Sequence, residues 1–273
     1  MKTHTVIGGG GIKLCVRETG KPDGKPILFI HGFSQCALAW NKQMNSDLAK
    51  DFRLIAMDIR GHGLSDKPRD AYGESKLWAE DVQAVLTTLE LEKPVLTGWS
   101  YAGVILSDYL KHYGEDSIAG TNWVGAASRL GEALVQPGFI SAEFVALVPG
   151  FFSENFDEGV EALQKLIRLC VYEEPSLDDA LFFLGYNVLV PPYVRRGLLS
   201  RNVNNESVIE RLRKPILLSH GEQDAIVPTK MSNHIARLAR QAKLSIYPNV
   251  SHAPFWEAPE RFNRELREFR NSC

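Results

Sequence analysis

The sequence predicts an α/β fold built on a mostly parallel sheet flanked by helices, with one inserted helical segment. Three observations carry that expectation. Short unbroken apolar runs recur along the chain, at Pro26-Ile27-Leu28-Phe29-Ile30, Leu54-Ile55-Ala56-Met57, Pro94-Val95-Leu96-Thr97 and Pro215-Ile216-Leu217-Leu218, and such runs suit strands covered on both faces. Stretches with apolar residues at helical spacing alternate with them, as at 74–89, where Leu77, Val82, Val85 and Leu86 make one stripe. Glycine-bearing polar loops follow the runs, and the loops at the C-terminal ends of parallel strands are where such sheets place ligands.

Composition agrees with one such domain. The 273 residues are 44% hydrophobic and 23% charged, enough to bury a sizeable core. A formal net charge of −2, with no Lys/Arg cluster, excludes the electrostatic footprint of a nucleic-acid or membrane-surface binder. No stretch reads as a signal peptide or a membrane span, so a cytoplasmic enzyme is the expectation. Cys15, Cys36, Cys170 and Cys273 are scattered without ligand spacing, and they read as reduced small hydrophobes rather than disulfide or zinc sites.

In chain order, strands around Val6 and Leu14-Cys15-Val16 flank Gly8-Gly9-Gly10-Gly11, which reads as a hairpin. A dinucleotide loop would instead need a helix after its glycines. The run 26–30 reads as a central strand ending in His31-Gly32-Phe33-Ser34-Gln35. Residues 40–48 read as a helix and 53–57 as a buried strand. The loop Asp58-Ile59-Arg60-Gly61-His62-Gly63-Leu64-Ser65-Asp66 then reads as structural, its Asp and Arg pinning a turn with many backbone groups to satisfy. After the helix at 74–89, the run 94–97 leads into Gly98-Trp99-Ser100-Tyr101-Ala102-Gly103, and Val104, Ile105, Tyr109 and Leu110 continue at helical spacing until Gly114.

Ser100 sits at that strand-to-helix junction between small residues, the setting of a nucleophile elbow, although Ala102 stands where the second glycine is usual. The competing reading is a serine that merely caps the helix. If Ser100 attacks a carbonyl, the oxyanion needs two backbone N–H donors, and Tyr101 and Phe33 are the candidates.

His31-Gly32-Phe33, Asp58-x-Arg60-Gly61-His62-Gly63-x-Ser65 and Gly98-x-Ser100-x-Ala102-Gly103 together resemble the α/β-hydrolase superfamily. Within it the chain is similar to the small capped esterases, lactonases and cofactor-free haloperoxidase-type members. The resemblance covers residues 1–128 and 214–273, and implies an α/β-hydrolase core with an eight-stranded sheet. The segment 129–213 between them reads as a mostly helical cap, with helices at 153–169 and 176–184 and breaks at Pro149, Pro175 and Pro191-Pro192. Its aromatics, among them Phe139, Phe144, Phe151, Phe152, Phe182, Phe183 and Tyr186, read mainly as packing.

The resemblance further implies an acid and then a histidine, each on a loop after a later strand. Asp224 in Gly221-Glu222-Gln223-Asp224 matches the acid, with Glu222 its competitor, and His252 in Asn249-Val250-Ser251-His252 matches the base. The implied activity is hydrolysis of a small, partly apolar carboxylic ester or lactone through an acyl-enzyme on Ser100, with no metal or organic cofactor. The same triad serves perhydrolase, haloperoxidase-type or lyase chemistry in other members, and some relatives act as slow-turnover ligand receptors. Epoxide hydrolases and haloalkane dehalogenases are disfavoured, since their elbow nucleophile is an aspartate.

Overall fold

The computed structural model describes residues 1–133 and 136–273; of the inserted segment, residues 134–135 lie outside the described residues. The strands are β1 (Lys2–Ile7), β2 (Lys13–Gly20), β3 (Lys25–Ile30), β4 (Phe52–Met57), β5 (Val95–Trp99) and β6 (Gly120–Val124), then β7 (Arg129–Leu130) and β8 (Val203–Asn204), and finally β9 (Ile216–Gly221) and β10 (Ala242–Tyr247). Eight of them form one sheet in the order β1-β2-β4-β3-β5-β6-β9-β10, while β7 and β8 pair as a separate ribbon. The hairpin β1/β2 and the β2/β4 pair are antiparallel, and every later neighbour is parallel. The central strands read as continuous apolar runs because both faces are covered: Ile27, Leu28, Phe29 and Ile30 are all fully buried.

Register decides where the loops emerge. Ile30 pairs with Met57 and with Gly98, Trp99 with Val124, Val124 with Ser219, and Gly221 with Tyr247. The C-terminal ends of these strands are therefore level, so the segments that follow at 31–35, 58–66, 100–101, 222–227 and 248–252 leave from one edge of the sheet.

The helices are α1 (Asn41–Met44), α2 (Ser75–Thr88), α3 (Ala102–Tyr113), α4 (Ala142–Phe152), α5 (Phe156–Cys170), α6 (Leu177–Asn187), α7 (Pro192–Leu199), α8 (Glu206–Ile209), α9 (Lys230–Leu238), α10 (Pro254–Glu257) and α11 (Pro259–Ser272). Sharp starts come from side-chain caps: Ser141, Asn155 and Ser176 each accept from backbone N–H groups of α4, α5 and α6. Gly114 ends α3 at φ 70°, a conformation that costs glycine little. No helix among the described residues is long and apolar enough to cross a membrane.

Three local expectations need correction. The helix expected over 40–48 is three short pieces, because Ser46 turns its hydroxyl to the Leu48 N–H and caps a new 3-10 turn, while the Gln43 amide leaves the helix to donate to Phe255 O and Asn263 Oδ1. The inward stripe of α2 runs through Trp78, Val82, Val85 and Leu86 and not through the half-buried Leu77. Asp81 also points inward, where Arg60 binds it with two hydrogen bonds of 2.7 and 2.8 Å. Pro149 does not break α4 but lies inside it; proline's missing N–H forfeits only the one bond to the fourth residue back.

The segment α4–α7 lies against the edge where the loops emerge. Arg201, just after α7, pairs with the buried Asp108 of α3 at 2.7 Å, and Phe182 and Phe183 pack on Trp256 with centroids 6.0 and 4.6 Å away. Most of the segment's aromatics thus do what the composition suggested and pack.

Candidate active site

Ser100 has φ 58°, a left-handed backbone that a non-glycine residue adopts at a cost of about 1–2 kcal/mol. Its own backbone bonds hold it there: Ser100 N–H donates to Val124 O at 2.9 Å, and its carbonyl accepts from Gly103 and Ala127 at 3.0 and 3.1 Å. The capping alternative fails on this geometry, since an N-cap serine is extended and its oxygen accepts from the first turn, whereas α3 starts at Ala102 with Tyr101 at its N-cap and no side-chain cap bond.

The loop after β3 closes on Ser100. A Cβ at Gly32 would stand 2.9 Å from that of Ser100, so only glycine lets the two loops meet. Phe33 follows, and neither its N–H nor that of Tyr101 donates to another group among the described residues. Gln35 N–H donates to Gly32 O at 3.3 Å and closes the turn.

The loops after β9 and β10 bring the acid and the histidine together. Gly221 permits this, because a Cβ there would lie 1.8 Å from Ser251 O. His252 Nδ1 lies 2.8 Å from Asp224 Oδ2. The other carboxylate oxygen accepts from the Ile226 and Val227 N–H groups at 2.9 and 2.8 Å. Burial would raise the Asp224 pKa, but the charge of His252, its hydrogen bond and those same contributions from His220 outweigh it and hold the carboxyl well below the ordinary range. Glu222 is exposed, its carboxylate accepting from the neighbouring Gln223 amide at 3.1 Å, and no bond joins it to the imidazole among the described residues. Trp99 fixes the far side of the loop, its Nε1 donating to His252 O at 2.8 Å. His252 Nε2 is buried and has no hydrogen-bond partner among the described residues.

A narrow cavity of about 40 Å³ joins these parts, bounded by Phe33, Ser100, Tyr101 and His252 on the sheet side and by Phe144 of α4 and Leu166 of α5 on the other. All five residues expected to form a site are brought to one place. Phe152 is not around the cavity; its ring lies 5.6 Å from the Arg196 guanidinium. Among the described residues no group of three or more His, Cys, Asp or Glu side chains is placed to hold a metal ion.

Sequence reasoning missed His220, next to last in β9, with Nε2 2.7 Å from Val227 O and 3.0 Å from Asp224 Oδ2. A histidine inside an apolar strand run, four residues before the acid, was the available signal. Gln35 was also missed. His31 and His62, tempting by type, are fully buried and bonded to backbone; burial pushes His31 down to about 4 and His62 well below its ordinary value, so both stay neutral.

Comparison with known proteins places this geometry in a family. The family model described as the alpha/beta hydrolase fold matches residues 25–259. The crystal structure of an esterase, RhEst1 from Rhodococcus sp. ECU1013, is 33% identical, superposes with a TM-score of 0.94 and covers 100% of this chain and 99% of that one. The AB hydrolase superfamily protein YisY of Bacillus subtilis is 28% identical over 96% of both chains. The bifunctional esterase/perhydrolase DCH of Acinetobacter calcoaceticus is 26% identical over 95% of this chain and 96% of its own. With its eight-stranded sheet and a family match that spans most of its length, the chain belongs to the α/β hydrolase fold family.

Proposed function

We propose that the protein is a serine hydrolase that cleaves a small, partly apolar carboxylic ester or lactone through an acyl-enzyme on Ser100. The observation that carries the reading is the unpartnered Nε2 of His252, which shares a cavity with the strained Ser100 while Nδ1 is held by Asp224. Similarity to an esterase at 33% identity supports the ester class.

In this reading His252 Nε2 takes the Ser100 proton as Oγ attacks the carbonyl carbon, and Asp224 keeps the other proton on Nδ1 and stabilises the imidazolium. The oxyanion forms between the N–H groups of Phe33 and Tyr101, with a modest addition from the start of α3. His252 then protonates the leaving oxygen. A water, deprotonated by the same imidazole, attacks the acyl-enzyme and releases the acid. The segment 129–213 acts as a cap whose Phe144 and Leu166 exclude water over the acyl group. Similarity to the esterase/perhydrolase DCH favours one second reading, in which hydrogen peroxide replaces water in the last step and a peracid leaves.

A fluorophosphonate should label Ser100 alone, and Ser100→Ala should abolish both labelling and turnover of nitrophenyl acetate, with a loss on the order of 10⁶ in kcat. Labelling of another serine, with turnover surviving Ser100→Ala, would overturn the assignment.

A further inference from the structure

Gln35 stands on the loop that carries Phe33, between the cavity at Ser100 and a smaller one of about 10 Å³ behind it. Both spaces are bounded by Gln35, Trp99 and Cys170, and the smaller one is otherwise apolar, closed by Ile167, Phe255 and Trp256. The residue is 3% exposed, its Oε1 is buried without a partner, and its amide nitrogen donates to nothing among the described residues.

A buried carbonyl oxygen with no partner opposes folding, and a leucine of similar size would fill this place without that cost. The other polar side chains at the main cavity have employment: Ser100 and His252 carry the proposed chemistry, and the Tyr101 hydroxyl donates to Leu198 O at 3.3 Å. The tie from Gln35 N–H to Gly32 O fixes the Gln35 backbone relative to the Phe33 N–H, and so relative to any carbonyl seated there.

We infer that Gln35 is a specificity residue whose amide binds a hydrogen-bond donor on the substrate, so that the preferred substrates are esters or lactones carrying a hydroxyl or amide N–H close to the scissile carbonyl. The inference rests on the proposed hydrolase reading and narrows its substrate class. A site built to bond such a group discriminates against analogues that lack it far better than an apolar wall discriminates by size.

The test uses matched nitrophenyl esters with and without a hydroxyl or amide N–H in the acyl part, and a second series of alkyl esters with the donor in the alcohol part. Wild type should favour the donor-bearing member of at least one series by roughly tenfold or more in kcat/KM, the worth of one neutral hydrogen bond. In Gln35→Leu, and in Gln35→Met should the first fold poorly, that ratio should collapse toward one. A ratio near one in wild type for both series, or a ratio unmoved by either variant, overturns the inference. Thermal shifts in the Ser100→Ala background separate the two readings. A donor-bearing ester that stabilises Ser100→Ala but not Ser100→Ala/Gln35→Leu keeps the recognition role even if hydrolysis fails. Turnover of plain esters with no discrimination keeps the hydrolase and removes only Gln35's role.

Discussion

Two clusters of the same composition lie at the loop-bearing edge of the sheet, His31–Asp58–His62 and His220–Asp224–His252, and their difference is instructive. In both, a buried aspartate lies among buried histidines. In the first, all polar ring and carboxylate atoms are engaged by the chain itself. His31 donates from Nδ1 to Gly32 O at 2.9 Å and accepts at Nε2 from Ile59 N–H at 3.1 Å. His62 is bonded the same way to Arg60 O at 2.9 Å and Ser34 N–H at 3.2 Å. Asp58 accepts from the N–H groups of Ala37 and Leu64 at 2.7 and 3.0 Å and from Arg17 at 3.1 Å. Among the described residues the second cluster leaves His220 Nδ1 and His252 Nε2 unpartnered, and of the two residues only His252 faces the cavity of Ser100. Residue type and burial therefore do not separate a clamp from a reactive group; an unengaged atom facing a cavity does.

The largest expected effect breaks the comparison apart with one chemical change made twice. Asp224→Asn can keep its oxygen toward the Ile226 and Val227 N–H groups, but it then presents NH₂ to His252 Nδ1 and forces the proton onto Nε2, the atom that must accept. The fold should persist while kcat falls by roughly four orders of magnitude, as the wrong tautomer does in other serine triads. Asp58→Asn meets backbone donors at both oxygens, so it should cost about 2–4 kcal/mol of stability and leave turnover per folded molecule within a few-fold. Thermal unfolding and active-site titration distinguish them. Glu222→Gln should do little, and a catastrophic loss there beside a near-normal Asp224→Asn would move the acid to 222.

A smaller effect separates cavity-facing from packing aromatics. Phe144 walls the cavity and its ring sits 6.1 Å from that of Phe33. Phe144→Ala should open the space and shift the acyl preference of kcat/KM by roughly tenfold toward longer chains, about the worth of burying two methylene groups. Phe152→Ala, altering a ring beside Arg196, should leave the acetate-to-hexanoate ratio unchanged. Equal changes in both ratios would make Phe144 a packing residue as well.

Much of this arrangement is legible in the sequence because it is written locally. Apolar runs mark strands, glycines mark loops at their ends, and the order Ser100, Asp224, His252 follows the chain through successive strands. What is not legible depends on contacts between distant segments. No local pattern shows that the Asp81 carboxylate meets Arg60, that Gly221 must clear Ser251 O, or that Trp99 reaches across 153 residues to His252 O. The helix expected at 40–48 broke because Gln43 bonds 220 residues away to Asn263, which no pattern within that stretch encodes. Gln35 and His220 escaped for the same reason: their meaning lies in which partners they have or lack, not in what stands beside them in the chain.

The last effect is small and concerns pH, where the two clusters should again part. Glu257 packs beside the second, its Oε1 accepting from Ser251 N–H at 2.9 Å and its Oε2 from Tyr172 N–H at 2.5 Å, so it ties the His252 loop to the end of α5. Burial, reinforced by the nearby Asp224 charge, pushes its pKa up to about 7 from an ordinary 4.5, against the pull of the backbone donors of Tyr172, Ser251 and Ala253. A carboxyl whose folded value is raised binds its proton more tightly in the native state, so stability falls as pH rises from about 4.5 through about 7 and is level beyond. Glu257→Gln keeps an acceptor and removes the titration. Unfolding midpoints measured across roughly pH 5 to 8 should therefore show wild type losing ground to the variant as pH rises. His31, held at about 4 in the fold against an ordinary 6.5, and His62, also lowered, are neutral when folded and take up protons on unfolding, so the first cluster gives a slope of opposite sign, stability rising with pH up to about 6.5; that slope is common to wild type and Glu257→Gln and cancels in their difference. Parallel curves for wild type and variant would show that Glu257 is ionised throughout and that its backbone donors outweigh its burial.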